Sequence, residues 1–216
     1  MNDLLIPAAL VLLAGLLYFA KKESIPGQLM TKPFLSLLFI AAAMIQPHQG
    51  STYFHLILTG LILCLIGDVC LIFFQNRKIF TAGLAAFLAG HVMYVIAFSS
   101  FGATGVFLWI AAAISLCLSA GVFLWLRPNL GNMLGPVVAY VVIITAMVFS
   151  AAAFANNTSI VLSARILVFG GALLFYFSDI FVARQRFVKK AFFNRAAGLP
   201  LYYAAQFMIA FSTGMI

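Results

Sequence analysis

No polar stretch in this chain is longer than the one from Ala183 to Ala197; elsewhere, apolar runs alternate with short connections. The runs extend from Leu4 to Ala20, Pro33 to Ile45, Tyr53 to Phe74, Phe80 to Ser100, Gly105 to Leu126, Leu134 to Phe154, Ile160 to Val182 and Leu199 to Ile216. Hydrophobic residues make up 65% of the 216 and charged residues 7%, against roughly half and a quarter in an ordinary soluble domain. A bilayer-crossing helix needs about 17 to 25 apolar residues. The pattern therefore predicts an all-α, polytopic membrane bundle of eight transmembrane helices in one domain, residues 1–216. The run from Pro33 to Ile45 is short, and is retained as a span because the loop charges require it. A separately folded soluble catalytic domain is excluded. The opening Met1-Asn2-Asp3 lacks a basic n-region, and Lys21-Lys22 stands where a signal peptide would carry small residues, so the first run reads as an anchor.

The formal net charge of +8 raises the question of nucleic acid, but the basic residues lie scattered in short loops. Lys21, Lys22 and Lys32 occupy the first connection, Arg77 and Lys78 the third, Arg127 the fifth, and Arg184, Arg186, Lys189, Lys190 and Arg195 the seventh; the even connections hold none. This alternation is what the positive-inside rule produces, with the basic loops in the cytoplasm and both termini outside. A nucleic-acid role is rejected. The expected location is the cell membrane, a bacterial inner membrane or, in a eukaryote, the endoplasmic reticulum. Cys64, Cys70 and Cys117 have neither metal-ligand spacing nor an even count for a disulfide framework.

Against this background the four acidic residues stand out, because two of them, Asp68 and Asp179, lie near the ends of apolar runs. An ionisable group inside a membrane is costly and is a functional candidate by default. Both runs descend toward basic loops, so both carboxylates reach similar depth on the cytoplasmic side. The returning runs bring His91 and Tyr94, and Tyr202, Tyr203 and Gln206, to the same leaflet. His91 follows Asp68 by the same interval as Tyr202 follows Asp179, which suggests two parallel four-helix repeats, residues 1–100 and 105–216, around a shared pocket. Tyr202 and Gln206, four apart, share a helix face, whereas Tyr203 points elsewhere. Ala82, Ala86 and Gly90, with Gly67 beside Asp68, would let helices approach closely.

Each residue also has a plainer role. The aspartates would serve structure if paired with Arg77 or Arg184, His91 would be a packing histidine, and the tyrosines would be interfacial anchors. Arg165 is too far along its helix from Asp179 for contact and is expected to bond a neighbouring helix or snorkel outward. His48 and His55 fall at the opposite ends of their helices, leaving His91 the only histidine near the aspartates. One histidine and two aspartates would specify a metal only weakly, so the expectation is no metal and no cofactor, with metal binding left open by the sequence.

Gly67-Asp68, then Phe87, Gly90-His91 and Tyr94, then Ser178-Asp179, then Tyr202-Tyr203-Ala204-Ala205-Gln206, in this order on eight helices, resemble the YhhN-like lysoplasmalogenases across nearly the whole chain. The resemblance implies hydrolysis of the vinyl ether bond of lysoplasmalogens, releasing a fatty aldehyde and glycerophosphoethanolamine or glycerophosphocholine. It makes a lysophospholipid in membrane lipid the partner, with no protein partner implied. An enol ether is cleaved by protonating its alkene carbon, which needs an acid and a stabilising anion. Asp68 and Asp179 would share these roles with His91 beside them; the sequence leaves the assignment open, although Ser178 next to Asp179 offers a donor that would favour its charged form. Tyr94, Ser178, Tyr202, Tyr203 and Gln206 would line the substrate site. Lys32, Arg77 and Arg184 are candidate phosphate partners, and a tyrosine face would attract the headgroup cation by about 0.5 to 2 kcal/mol. A proton-coupled transporter would use the same paired aspartates, and a non-catalytic lipid-binding protein would leave them structural.

Overall fold

A computed structural model of the chain describes residues 2–48 and 50–216, without the side chains of Asn2 and Asp3; the expectation drawn from Met1-Asn2-Asp3 lies outside it. The described chain is helical: α1 (Asn2–Lys21), α2 (Ile25–Leu29), α3 (Lys32–Met44), α4 (Thr52–Ile72), α5 (Arg77–Ser99), α6 (Val106–Leu126), α7 (Leu134–Asn156), α8 (Leu162–Ala183) and α9 (Phe192–Ser212). Seven segments are long and apolar enough to cross a membrane by length and composition. The eighth long helix, α9, has 21 residues.

Local chemistry marks the helix starts. Ser24, Ser51 and Asn76 accept from the first free amides of α2, α4 and α5, as N-caps do. The short second run gains length from α2, which with α3 forms a 20-residue unit, Ile25–Met44. Prolines open both pieces, so the chain bends at Met30–Thr31 and starts a new helix with Lys32. The polar stretch expected to be a loop from Ala183 to Ala197 is mostly helix. A π turn, Arg184–Val188, extends α8, and Gln185 Oε1 accepts from the Ala191 amide and Asn194 Nδ2. These side chains satisfy backbone and amide groups that a free loop would give to water.

The helices run up and down. At one end Tyr53 bonds Ser212 and stacks on Phe154; at the other Arg195 donates to the Ala20 carbonyl. The closest pairs are α4 with α5 and α8 with α9. A Cβ on Gly60 would come within 2.4 Å of the Tyr94 ring and one on Gly67 within 2.6 Å of Phe87. The α5 face that meets α4 is Gly83, Phe87, Gly90 and Tyr94; Ala82 is exposed, so the Ala82, Ala86, Gly90 stripe is not the contact. α1 and α6 are the most lipid-facing spans.

Candidate active site

Asp68, on the last turns of α4, is buried and has three side-chain partners. Lys32 Nζ, on the first residue of α3, lies 2.9 Å from its Oδ1 and donates to the Asp68 carbonyl at 3.1 Å. Ser36, one turn further along α3, donates to Oδ2 at 2.7 Å, and Tyr202 on α9 donates to the same oxygen at 2.6 Å. The bend before α3 and the apolar environment turn Lys32 inward, where a cation requires a partner. Behind this shell the Tyr202 hydroxyl accepts from Gln206 Nε2 at 3.0 Å, and Tyr94 donates to Gln206 Oε1 at 2.9 Å. The Tyr203 hydroxyl reaches Ser36 at 3.3 Å.

Asp179, on the last turns of α8, has a different setting. Its Oδ2 accepts one hydrogen bond, from Tyr140 on α7 at 2.6 Å, and the residue is only half-buried. Ser178 does not serve it. Its hydroxyl donates to the Phe175 carbonyl, the usual back-bond of a serine within a helix, so the expectation that Ser178 favours a charged Asp179 fails. His91 is completely buried, with its ring edge-on to Phe175 at 4.5 Å and to Tyr140 at 5.3 Å. Neither ring nitrogen has a partner in good hydrogen-bonding geometry among the described residues.

Both aspartates line one cavity, which encloses and opens onto about 1380 Å³ between the helices. Its inner wall is apolar, with Leu16, Leu84, Phe87, Val122 and Ile144, while Gln28, Gln185, Asn194 and Arg195 sit at the basic end. Tyr202, Ser178, Tyr140 and Lys32 also line it; Tyr94, Tyr203, Gln206 and His91 stand behind the wall. Arg77 lies in a separate shallow groove with Lys78 and Thr81, and Arg184 donates to Asn194. Neither arginine is ion-paired to an aspartate; the one salt bridge among the described residues is Lys32 to Asp68. Arg165 donates to the Ala155 carbonyl on α7, as expected for a helix-to-helix bond. Among the described residues no three His, Cys, Asp or Glu side chains converge as metal ligands would.

Sequence reasoning missed Ser36, Tyr140 and the Lys32 ion pair. Lys32 reads from the sequence as a loop charge and a candidate phosphate partner, and not as the partner of Asp68. Tyr140 follows no pattern that separates it from an interfacial tyrosine.

The fold and the site define a polytopic membrane protein with two carboxylates on the wall of a largely apolar cavity between its helices. Comparison with known proteins narrows this. Residues 27–213 match the YhhN family, and the chain belongs to that family. It is 29% identical over 181 residues to lysoplasmalogenase TMEM86B of Rattus norvegicus, covering 84% of this chain and 70% of that protein. It is 33% identical over 181 residues to lysoplasmalogenase TMEM86A of Bos taurus, covering 83% and 72%. To the lysoplasmalogenase of Mycobacterium tuberculosis (strain CDC 1551 / Oshkosh) it is 30% identical over 189 residues, covering 82% and 67%. No solved structure matches the chain.

Proposed function

We propose that this protein is a lysoplasmalogenase in which Asp179 is the proton donor and Asp68 the anion. The observation that carries the reading is the unequal dress of two carboxylates on one cavity wall. Asp68 holds a lysine and two hydroxyl donors, a set that suits a carboxylate and leaves one of its roughly four lone-pair positions for a water. Asp179 meets a single neutral phenol in largely apolar surroundings, a setting that suits a carboxylic acid.

In this scheme Asp179 transfers its proton to the alkene carbon remote from the ether oxygen, and the alkene electron pair forms the new C–H bond. The resulting oxocarbenium ion is stabilised by the Asp68 carboxylate. A water held by Asp68 adds to the cation, its spare proton returns to Asp179, and the hemiacetal collapses to fatty aldehyde and glycerol hydroxyl. Tyr140 holds Asp179 in place, and His91, packed against Tyr140, acts through it as a positioning residue. Tyr202 and Lys32 hold the Asp68 carboxylate in place, with Tyr94, Tyr203 and Gln206 supporting them from behind. The apolar wall accommodates the alkenyl tail, and the names borne by the relatives support the substrate class.

The proposal extends to the arrangement in the membrane, with the basic end facing the cytoplasm, and to a duplicated unit. Two features support the duplication: α3 packs on α9 as α7 packs on α5, and Gly60 and Gly171 lie at the same separation as the two aspartates, each in close contact with the following paired helix.

The test is aldehyde release from purified protein given a defined lysoplasmalogen or its saturated ether analogue. Cleavage of the first alone is expected. Absence of aldehyde from folded protein would overturn the proposal.

A further inference from the structure

Resting on that reading, the structure points to a headgroup site that the sequence did not indicate: we infer that Arg195 binds the phosphate of the lysophospholipid at the cavity mouth. The basic residues that first suggested a phosphate site are engaged elsewhere. Lys32 neutralises Asp68, Arg184 is bonded to Asn194, and Arg77 lies outside the cavity. Arg186 is spent on Phe74 and Phe80, with its guanidinium 4.6 Å from the centre of the Phe80 ring and bonded to the Phe74 carbonyl at 2.6 Å.

Arg195 lines the cavity on the first turns of α9. One of its donors goes to the Ala20 carbonyl at 2.9 Å, and the others meet no protein acceptor among the described residues. Glu23 is within electrostatic range but forms no ion pair with it. A guanidinium pinned at one nitrogen and otherwise free presents a planar fork to a phosphate diester. Arg195 lines the same cavity as both carboxylates and the apolar wall, so a phosphate held there would leave the glycerol, vinyl ether and tail to the rest of that cavity.

The experiment compares wild type, Arg195→Gln and Arg195→Lys on two substrates, an alkenyl lysophospholipid and the alkenylglycerol that lacks phosphate. Arg195→Gln is expected to raise KM for the first about tenfold or more while leaving kcat, and both constants for the alkenylglycerol, near wild type. Arg195→Lys recovers part of the loss. Equal losses on both substrates, or a lowered Tm with no substrate difference, would mean that Arg195 only ties α9 to α1. No change on either would also overturn the inference. Binding of the saturated lysophospholipid and of the saturated alkylglycerol is measured in parallel, so an Arg195-dependent preference for the phosphate-bearing ligand remains readable even if hydrolysis, and with it the proposed activity, fails. Inorganic phosphate that competes as well as the lipid would reduce the site to a bare anion site and overturn the headgroup assignment.

Discussion

The surroundings of Asp68 and Asp179 differ more than their positions do. Each carboxylate lies near the end of a descending helix, α4 or α8, and each takes a partner from the helix before it, α3 or α7. On α3 those partners are a lysine and a serine; on α7 the partner is a tyrosine. The two carboxylates thus meet different partners, a full charge and a hydroxyl from α3 in one case and one neutral donor from α7 in the other. The larger effects should separate along this line.

Asp179→Asn should lower kcat by about 10³-fold, the usual scale for removing a general acid, with Tm and binding of the saturated analogue little changed. Comparable turnover in this variant would reverse the assignment of roles. Asp68→Asn should cost stability as well as activity, about 3 to 5 kcal/mol, because it strands Lys32 without its counter-charge; thermal unfolding in detergent reads this. The double variant Lys32→Met/Asp68→Leu should recover most of that stability and none of the activity. Tyr140→Phe should lower kcat about tenfold through loss of one hydrogen bond to Asp179, while leaving the Tm cost of Asp68→Asn unaltered. At the small end, Gly60→Ala should cost about 1 to 3 kcal/mol by forcing the buried Tyr94 ring aside, whereas Gly121→Ala, on lipid-facing α6 with open space around it, should be neutral or stabilising by less than about 1 kcal/mol.

Features carried by composition and period could be read from the sequence: the polytopic bundle, and the shared face of Tyr202 and Gln206. What escaped depended on distant pairing. Nothing local distinguishes Lys32 from the topogenic lysines beside it until the break between α2 and α3 turns it toward a carboxylate 36 residues away. Tyr140 and Arg195 escaped for the same reason, since each gains meaning only from the helix packed against it. Ser178 erred in the other direction: adjacency in sequence suggested a bond that the helix geometry spends on its own backbone.

The Gln206 amide has a consequence beyond holding Tyr202. It joins Tyr202 to Tyr94 in a hydrogen-bonded line that starts at Asp68. A carboxamide does not pass a proton along as a hydroxyl or a water does. This line therefore ends as an insulator, and a proton taken up or released at Asp68 does not travel along it to Tyr94.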